Sequence, residues 1–127
     1  MINLLYIFKM FECGHFCIKY ILRKDKIRGD WEYSKSFMTL SLICKVMSKY
    51  YEKVECYKIE DLDYLIDKSR CISLLDFGKN RYHYIVIEKV NLRHVYYYDP
   101  MFLLLKKVKK DRFLKRWSHY CCFYQKK

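Results

Sequence analysis

Glycine and proline are nearly missing from this chain. Its 127 residues hold three glycines and one proline, which excludes collagen-like, linker-like and low-complexity sequences. Glutamine occurs once, at Gln125. No two cysteines have the C-x-x-C spacing; the seven present, at positions 13, 17, 44, 56, 71, 121 and 122, are odd in number and scattered. That argues against a disulfide framework and a zinc ribbon, and it suits a reducing, cytoplasmic setting. No apolar run reaches membrane-spanning length. The apolar opening, residues 2–8, also lacks the basic segment and small-residue cleavage site of a signal peptide, and it reads as an extended segment tucked against the core. Acids are few as well: 14 Asp and Glu against 26 Lys and Arg leave a net charge of +12. Such a charge attracts acidic partners, whether nucleic acid, anionic lipid or acidic peptide.

What is abundant is apolar and aromatic. The chain is 53% hydrophobic, with 14 tyrosines and 8 phenylalanines, enough for a real core in one domain, residues 1–127, and too short for two. Residues 12–22 form a helix: Cys13, Phe16, Cys17, Tyr20 and Ile21 recur on one face, and Gly14 permits a close approach there. A cysteine on the first turn of that helix feels the positive end of the dipole, which favours the thiolate; an ordinary buried cysteine is the alternative. A loop follows, then a second helix over 37–51 with Phe37, Leu40, Ile43, Cys44 and Met47 on one face. A short strand is expected at 54–59 and a short helix at 60–67. Strands follow at 71–77, 82–89 and 95–98, and Asp99-Pro100 ends the last of them. Residues 106–110 are a basic strand or linker, 111–117 a short helix with Asp111 as N-cap, and 120–124 a last strand. Helices first and strands after describe an α+β fold, N-terminal helices packed on a C-terminal antiparallel sheet.

The hairpin between the second and third of these strands brings chemistry together. A loop centred on Asn91 places His83 directly opposite Asp99, with Cβ atoms about 4.5–5.5 Å apart. A histidine so held donates one ring N–H to the carboxylate and keeps its other nitrogen for a proton. This is the base-and-orienter half of a catalytic triad, to which Cys13 can supply the nucleophile. Each residue alone has an ordinary reading: a core cysteine, a satisfied strand histidine, a turn aspartate.

At these residues the sequence resembles the peptidase domain of bacteriocin-processing, double-glycine-leader ABC transporters, a papain-like cysteine peptidase family. The likeness rests on Glu12-Cys13-Gly14-His15-Phe16-Cys17, on His83-Tyr84-Ile85-Val86-Ile87, on Asp99-Pro100 one hairpin later, and on Phe113-Leu114-Lys115-Arg116-Trp117 before the final strand. It implies a papain-like fold and cleavage of a leader peptide after Gly-Gly. Cys13 would attack, His83 would move the proton, Asp99 would hold the ring, and the Cys13 backbone N–H would be one oxyanion donor. It further implies no cofactor and no metal, an acidic leader as partner, an ABC exporter nearby, a monomer, no nucleic acid, and a place in the cytoplasm or at the inner face of the membrane.

Three features depart from the family. The glutamine usual six residues before the nucleophile is replaced by Ile7. The glycines common after Asp-Pro give way to apolar residues 101–105, expected to be buried packing ahead of a docking patch. The transmembrane helices and ATPase that usually follow are not in this chain, so it reads as a stand-alone peptidase or a fragment. The second hypothesis is therefore a catalytically impaired leader-binding domain. A third, from the Lys-rich end (Lys106, Lys107, Lys109, Lys110, Lys115, Arg116, Lys126, Lys127), is a basic nucleic-acid-binding module; a solvated face is the ordinary alternative. His15 with Cys13, Cys17, His119, Cys121 and Cys122 could mimic a metal site, but the helical spacing points its members to different sides.

Overall fold

The structure, a computed structural model, describes residues 4–29 and 38–127, with side chains over 13–29 and 38–127. The first helix, α1 (Leu4–Lys24), is longer than its periodic face. Residues expected to be extended enter helix from Leu4 onward. A short apolar run is ambiguous between strand and helix by pattern alone, and here it continues the helix of 12–22. Cys13, Cys17, Ile18, Ile21 and Leu22 are buried, and Phe16 and Tyr20 are half-buried. Lys26, at φ 56°, closes α1 in the left-handed conformation, and the Ile27 N–H donates to the Leu22 carbonyl at 2.8 Å, a Schellman-type end.

Helix α2 (Leu40–Met47) starts at Thr39, whose hydroxyl accepts the Leu42 N–H at 3.1 Å. It is shorter than expected: Phe37 lies outside the described residues, and the last turn gives way to a strand. The Ser48 hydroxyl donates back to the Cys44 carbonyl at 2.7 Å, a local bond that competes with the helix ladder. Strand β1 (Tyr51–Lys58) follows, then a 3-10 turn (Leu62–Leu65) where a short helix was expected. Strands β2 (Cys71–Asp76), β3 (Tyr82–Val90), β4 (His94–Asp99), β5 (Leu104–Lys109) and β6 (Trp117–Lys126) complete one antiparallel sheet in the order β1-β6-β2-β3-β4-β5. Between β5 and β6 lies α3 (Lys110–Leu114); Lys109 takes its N-cap position, so Asp111 sits in the first turn and is not the cap.

Alternation along β3 divides the interior. Tyr84 and Val86 join Ile72, Leu74 and Cys122 beneath α1 and α2. Ile85 and Ile87 join Leu75, Val95, Tyr97, Phe113 and Trp117 on the other face. Both sides of the sheet are thus covered, which is why β2 and β3 read as near-continuous apolar runs. Ser73, fully buried, fastens the second layer: its hydroxyl accepts from Trp117 Nε1 at 2.8 Å and donates to the Tyr120 carbonyl at 2.7 Å. Ser73→Ala strands both partners, so we expect a loss of about 1–3 kcal/mol, read as a lower urea midpoint; an unchanged midpoint would show that water replaces the hydroxyl.

Candidate active site

Cys13 lies well inside α1, not at its tip. The free dipole end expected to favour a thiolate is therefore absent. Its backbone N–H, expected as one oxyanion donor, lies within the helix, where an N–H ordinarily pairs with the carbonyl four residues back. The close approach expected at Gly14 is real. A Cβ there would stand 3.2 Å from Met38 Cβ and 3.4 Å from Ile43 Cδ1. This contact seats the Cys13 turn of α1 against α2 and the residues just before it.

The Cys13 sulfur accepts the Tyr84 N–H at 3.3 Å. Strand β4 ends at Asp99 and Pro100 follows, so the ladder stops short of Tyr84 and the sulfur takes its N–H. The amide concerned joins His83 to Tyr84. Standard backbone dimensions therefore put the sulfur within roughly 6 Å of the His83 Cα.

His83 and Asp99 meet, but not as the sequence suggested. The hairpin pairs Val86 with Tyr98 and Ile87 with Tyr97, then shifts at an irregularity to pair Lys89 with Tyr96 and Val90 with Val95. Carried forward, this register sets Asp99 level with Ile85, not His83. The two residues are diagonal neighbours on one face, a separation that long side chains span. His83 Nε2 lies 2.7 Å from Asp99 Oδ1. An ionised carboxylate only accepts, so Nε2 carries the hydrogen and Nδ1 of a neutral ring keeps its lone pair. Among the described residues, the buried Nδ1 has no hydrogen-bond partner.

Asp99 holds more than the ring. Oδ1 also accepts the Met101 N–H at 3.0 Å, and Oδ2 accepts Lys106 Nζ at 2.9 Å. Sequence reasoning left Lys106 on a solvated face. The signal available was register: β5 pairs Leu104 with Asp99, which puts Lys106 on the same face one diagonal step away. Burial pushes the Asp99 carboxyl up, but the hydrogen bonds and charges of His83 and Lys106 outweigh it and hold the group below its ordinary 3.8. Burial raises the Cys13 thiol to about 11, against the pull of the Tyr84, Gly14 and Cys13 N–H groups. At neutral pH the sulfur is a neutral thiol and Asp99 an ionised acid. The other cysteines are not equivalent to it: a hydrogen bond from Cys122 outweighs burial at Cys56 and brings that thiol down to about 7.

A cleft of about 1370 Å³ opens on His83 and Asp99, lined by Leu75, Phe77, Tyr82, Tyr97 and Phe102, by the cations Arg81, Lys106, Lys109, Arg112, Lys115 and Arg116, and by one further acid, Asp111. It exceeds the usual small-molecule range of about 300–1,000 Å³. The packing expected of residues 101–105 is confined to Met101: Phe102, Leu103, Leu104 and Leu105 are 46–59% exposed. Leu103 adopts φ 54°, a conformation that glycine, usual at this point in the family, holds without strain. The mixed His/Cys grouping around His15 does not form among the described residues. Cys121 and Cys122 fall in opposite core layers, and His119 Nδ1 is 2.9 Å from the Ile59 carbonyl, its ring stacked on Trp117.

Helices on an antiparallel sheet, with a helix thiol beside a strand histidine that a carboxylate orients, define the papain-like cysteine peptidase class. Residues 4–127 match the Peptidase C39 family, and the chain belongs to it. No curated protein matches by sequence. Among solved structures, the chain is similar to the peptidase domain of Streptococcus ComA, a bi-functional ABC transporter involved in quorum sensing, at 18% identity and a TM-score of 0.70, over 92% of this chain and 93% of that one. It is also similar to a double glycine motif protease from an AMS/PCAT transporter in complex with its leader peptide, at 18% identity and a TM-score of 0.72, over 100% of this chain and 89% of that one. A third similar structure is the Streptococcus mutans ComA peptidase domain with a small-molecule inhibitor, at 20% identity and a TM-score of 0.63, over 98% and 94% of the two chains.

The Asp99 shift fixes a pH dependence. Its folded value lies below 3.8, so its contribution to stability is complete above the unfolded value and is lost as pH falls through the folded one. Urea midpoints should therefore fall on acidification below about pH 4. Asp99→Asn should remove that part of the acid limb, and Lys106→Met should move it to higher pH. An acid limb identical in all three proteins would refute the assignment.

Proposed function

We propose that this chain cleaves a peptide precursor after a Gly-Gly pair, with Cys13 as nucleophile, His83 as general base and acid, and Asp99 as the group that holds the ring. The observation that carries the reading is the pair of contacts on consecutive residues: His83 bonded to Asp99, and the next amide bonded to the Cys13 sulfur. The thiol proton passes to His83 Nδ1 as the sulfur attacks the glycine carbonyl. The imidazolium then protonates the leaving amine, and water completes hydrolysis of the thioester. Asp99, kept ionised by Lys106, stabilises the imidazolium without taking the proton.

The substrate is an acidic, amphipathic leader. The cationic and apolar lining of the His83–Asp99 cleft suits such a segment, and the protease from the AMS/PCAT transporter was solved with its leader peptide. An ABC exporter is the natural neighbour. Among the described residues, no helix is long and apolar enough to cross a membrane, which fits a peptidase domain of residues 1–127 working as a monomer on the cytoplasmic side of such a partner.

A second reading, a leader-binding domain with little turnover, has its own support. Position 7 carries isoleucine where the family carries the second oxyanion donor, and the Cys13 N–H lies within α1. Loss of one such donor lowers kcat by about 10²–10³-fold.

The test is a synthetic leader ending in Gly-Gly followed by a short cargo. Wild type should cut after the second glycine. Cys13→Ala and His83→Ala should bind the leader without cutting it. Absence of cleavage by wild type, with binding intact, would select the second reading. Ile7→Gln should raise kcat by about 10²-fold with little change in KM; an equal or lower kcat would show that another group already serves the oxyanion.

A further inference from the structure

One nucleophile needs one cysteine, and the fold gathers three others at a different place. Cys44 comes from α2, Cys56 from β1 and Cys122 from β6. Cys56 and Cys122 face each other across the β1–β6 ladder. Cys44 lies over them, its sulfur 3.7 Å from that of Cys122. All three sulfurs lie within 4.8 Å of one another, and all are free thiols. A disulfide would hold two sulfurs about 2.0 Å apart. Thiolates arranged tetrahedrally around one ion at the usual Zn–S length of about 2.3 Å are roughly 3.8 Å apart. The observed spacing therefore leaves room for an ion between the sulfurs. Cys122 is buried while Cys44 and Cys56 are half-buried, so the grouping is shielded from below and open from one side.

We propose that Cys44, Cys56 and Cys122 form a three-thiolate site for a thiophilic metal ion, either Zn²⁺ with an exogenous fourth ligand or three-coordinate Cu⁺. Soft sulfur donors select these ions over Mg²⁺ or Ca²⁺. Among the described residues, no fourth His, Cys, Asp or Glu joins the group, so zinc would complete its shell with water or a small thiol. Each ligating thiol gives up its proton to solvent as the metal–sulfur bond forms. Sequence spacing could not show this site, because its members are far apart in the chain and none forms a C-x-x-C pair. The site is distinct from the catalytic grouping: β2 lies between β6 and β3, which carries His83. Its bound ion would fasten α2 to two strands at one edge.

The experiment uses the whole chain, reduced and stripped of metal. Zn²⁺ is titrated against a chromophoric chelator, and Cu⁺ anaerobically against a Cu⁺ chelator, with Co²⁺ as a spectroscopic probe of sulfur ligation. One equivalent of Zn²⁺ or Cu⁺ should bind and raise Tm, and the tighter of the two assigns the ion. Co²⁺ should give sulfur-to-metal charge-transfer absorption. Cys44→Ser and Cys56→Ser, both at half-buried positions, should weaken binding by about a hundredfold or more and abolish the band. Cys13→Ser should keep both. Each variant is first checked for a native circular dichroism spectrum. No stoichiometric binding by wild type, full binding by Cys44→Ser and Cys56→Ser, or loss of the band in Cys13→Ser would each overturn the proposal and leave the three thiols as packing only.

Discussion

A carboxylate that stays ionised inside a protein must be surrounded by donors, and Asp99 satisfies that demand from three segments at once. It binds the His83 ring from β3, the Lys106 ammonium from β5 and the Met101 N–H from the turn between β4 and β5. Removing any one would leave a costlier charge, so the three segments are held in one arrangement. That arrangement fixes the ring, and the ring's backbone neighbour, Tyr84, fixes the sulfur. The site is thus built outward from one buried negative charge.

The two-layered interior explains why the parts can meet. Cys13 belongs to the layer under α1, while His83 and Asp99 lie on the side of Ile85 and Tyr97. In the middle of a sheet those groups would be screened from each other by the ladder. The sulfur reaches the Tyr84 N–H because β4 ends at Asp99-Pro100 while β3 begins earlier, leaving the start of β3 open at that edge. A proline with no N–H cannot extend the ladder. The end of a strand, more than any single side chain, creates the opening in which the sulfur meets the amide that follows His83.

Much of this was legible in the sequence because it follows from periodicity and from residues with narrow conformational range. The apolar face of α1 from Cys13 onward, the alternation of β3 and β4, and the Asp99-Pro100 stop were all readable, as was the pairing of His83 with Asp99. What escaped depends on counting or on distance. The turn sets Val90 opposite Val95, three steps from the expected register, and the irregularity between Ile87 and Lys89 takes back one; the net shift of two keeps both residues on one face, so the partnership survived. The helical start at Leu4 was hidden by an apolar run that suits either element. Lys106 looked solvated because its partner lies on another strand. The convergence of Cys44, Cys56 and Cys122 required strand order, which no local pattern contains.

Burial of the Cys13 thiol sets the cost of ionising it. Raising a thiol from 9.0 to about 11 opposes ionisation by about 3 kcal/mol at 1.36 kcal/mol per unit. A lone thiolate in this position is therefore disfavoured, and Cys13 rests neutral. In the proposed mechanism, a thiolate and an imidazolium brought to about 4 Å would attract by about 4 kcal/mol at the effective dielectric of a protein site, comparable with that cost. Sulfur and ring can thus become charged together where the sulfur alone would stay neutral. A peptide filling the cleft on the His83 side removes water and strengthens that attraction. Asp99, held ionised by Lys106, adds its charge to the imidazolium side of the pair. In the proposed mechanism, ionisation of Cys13 is in this way tied to occupation of the cleft.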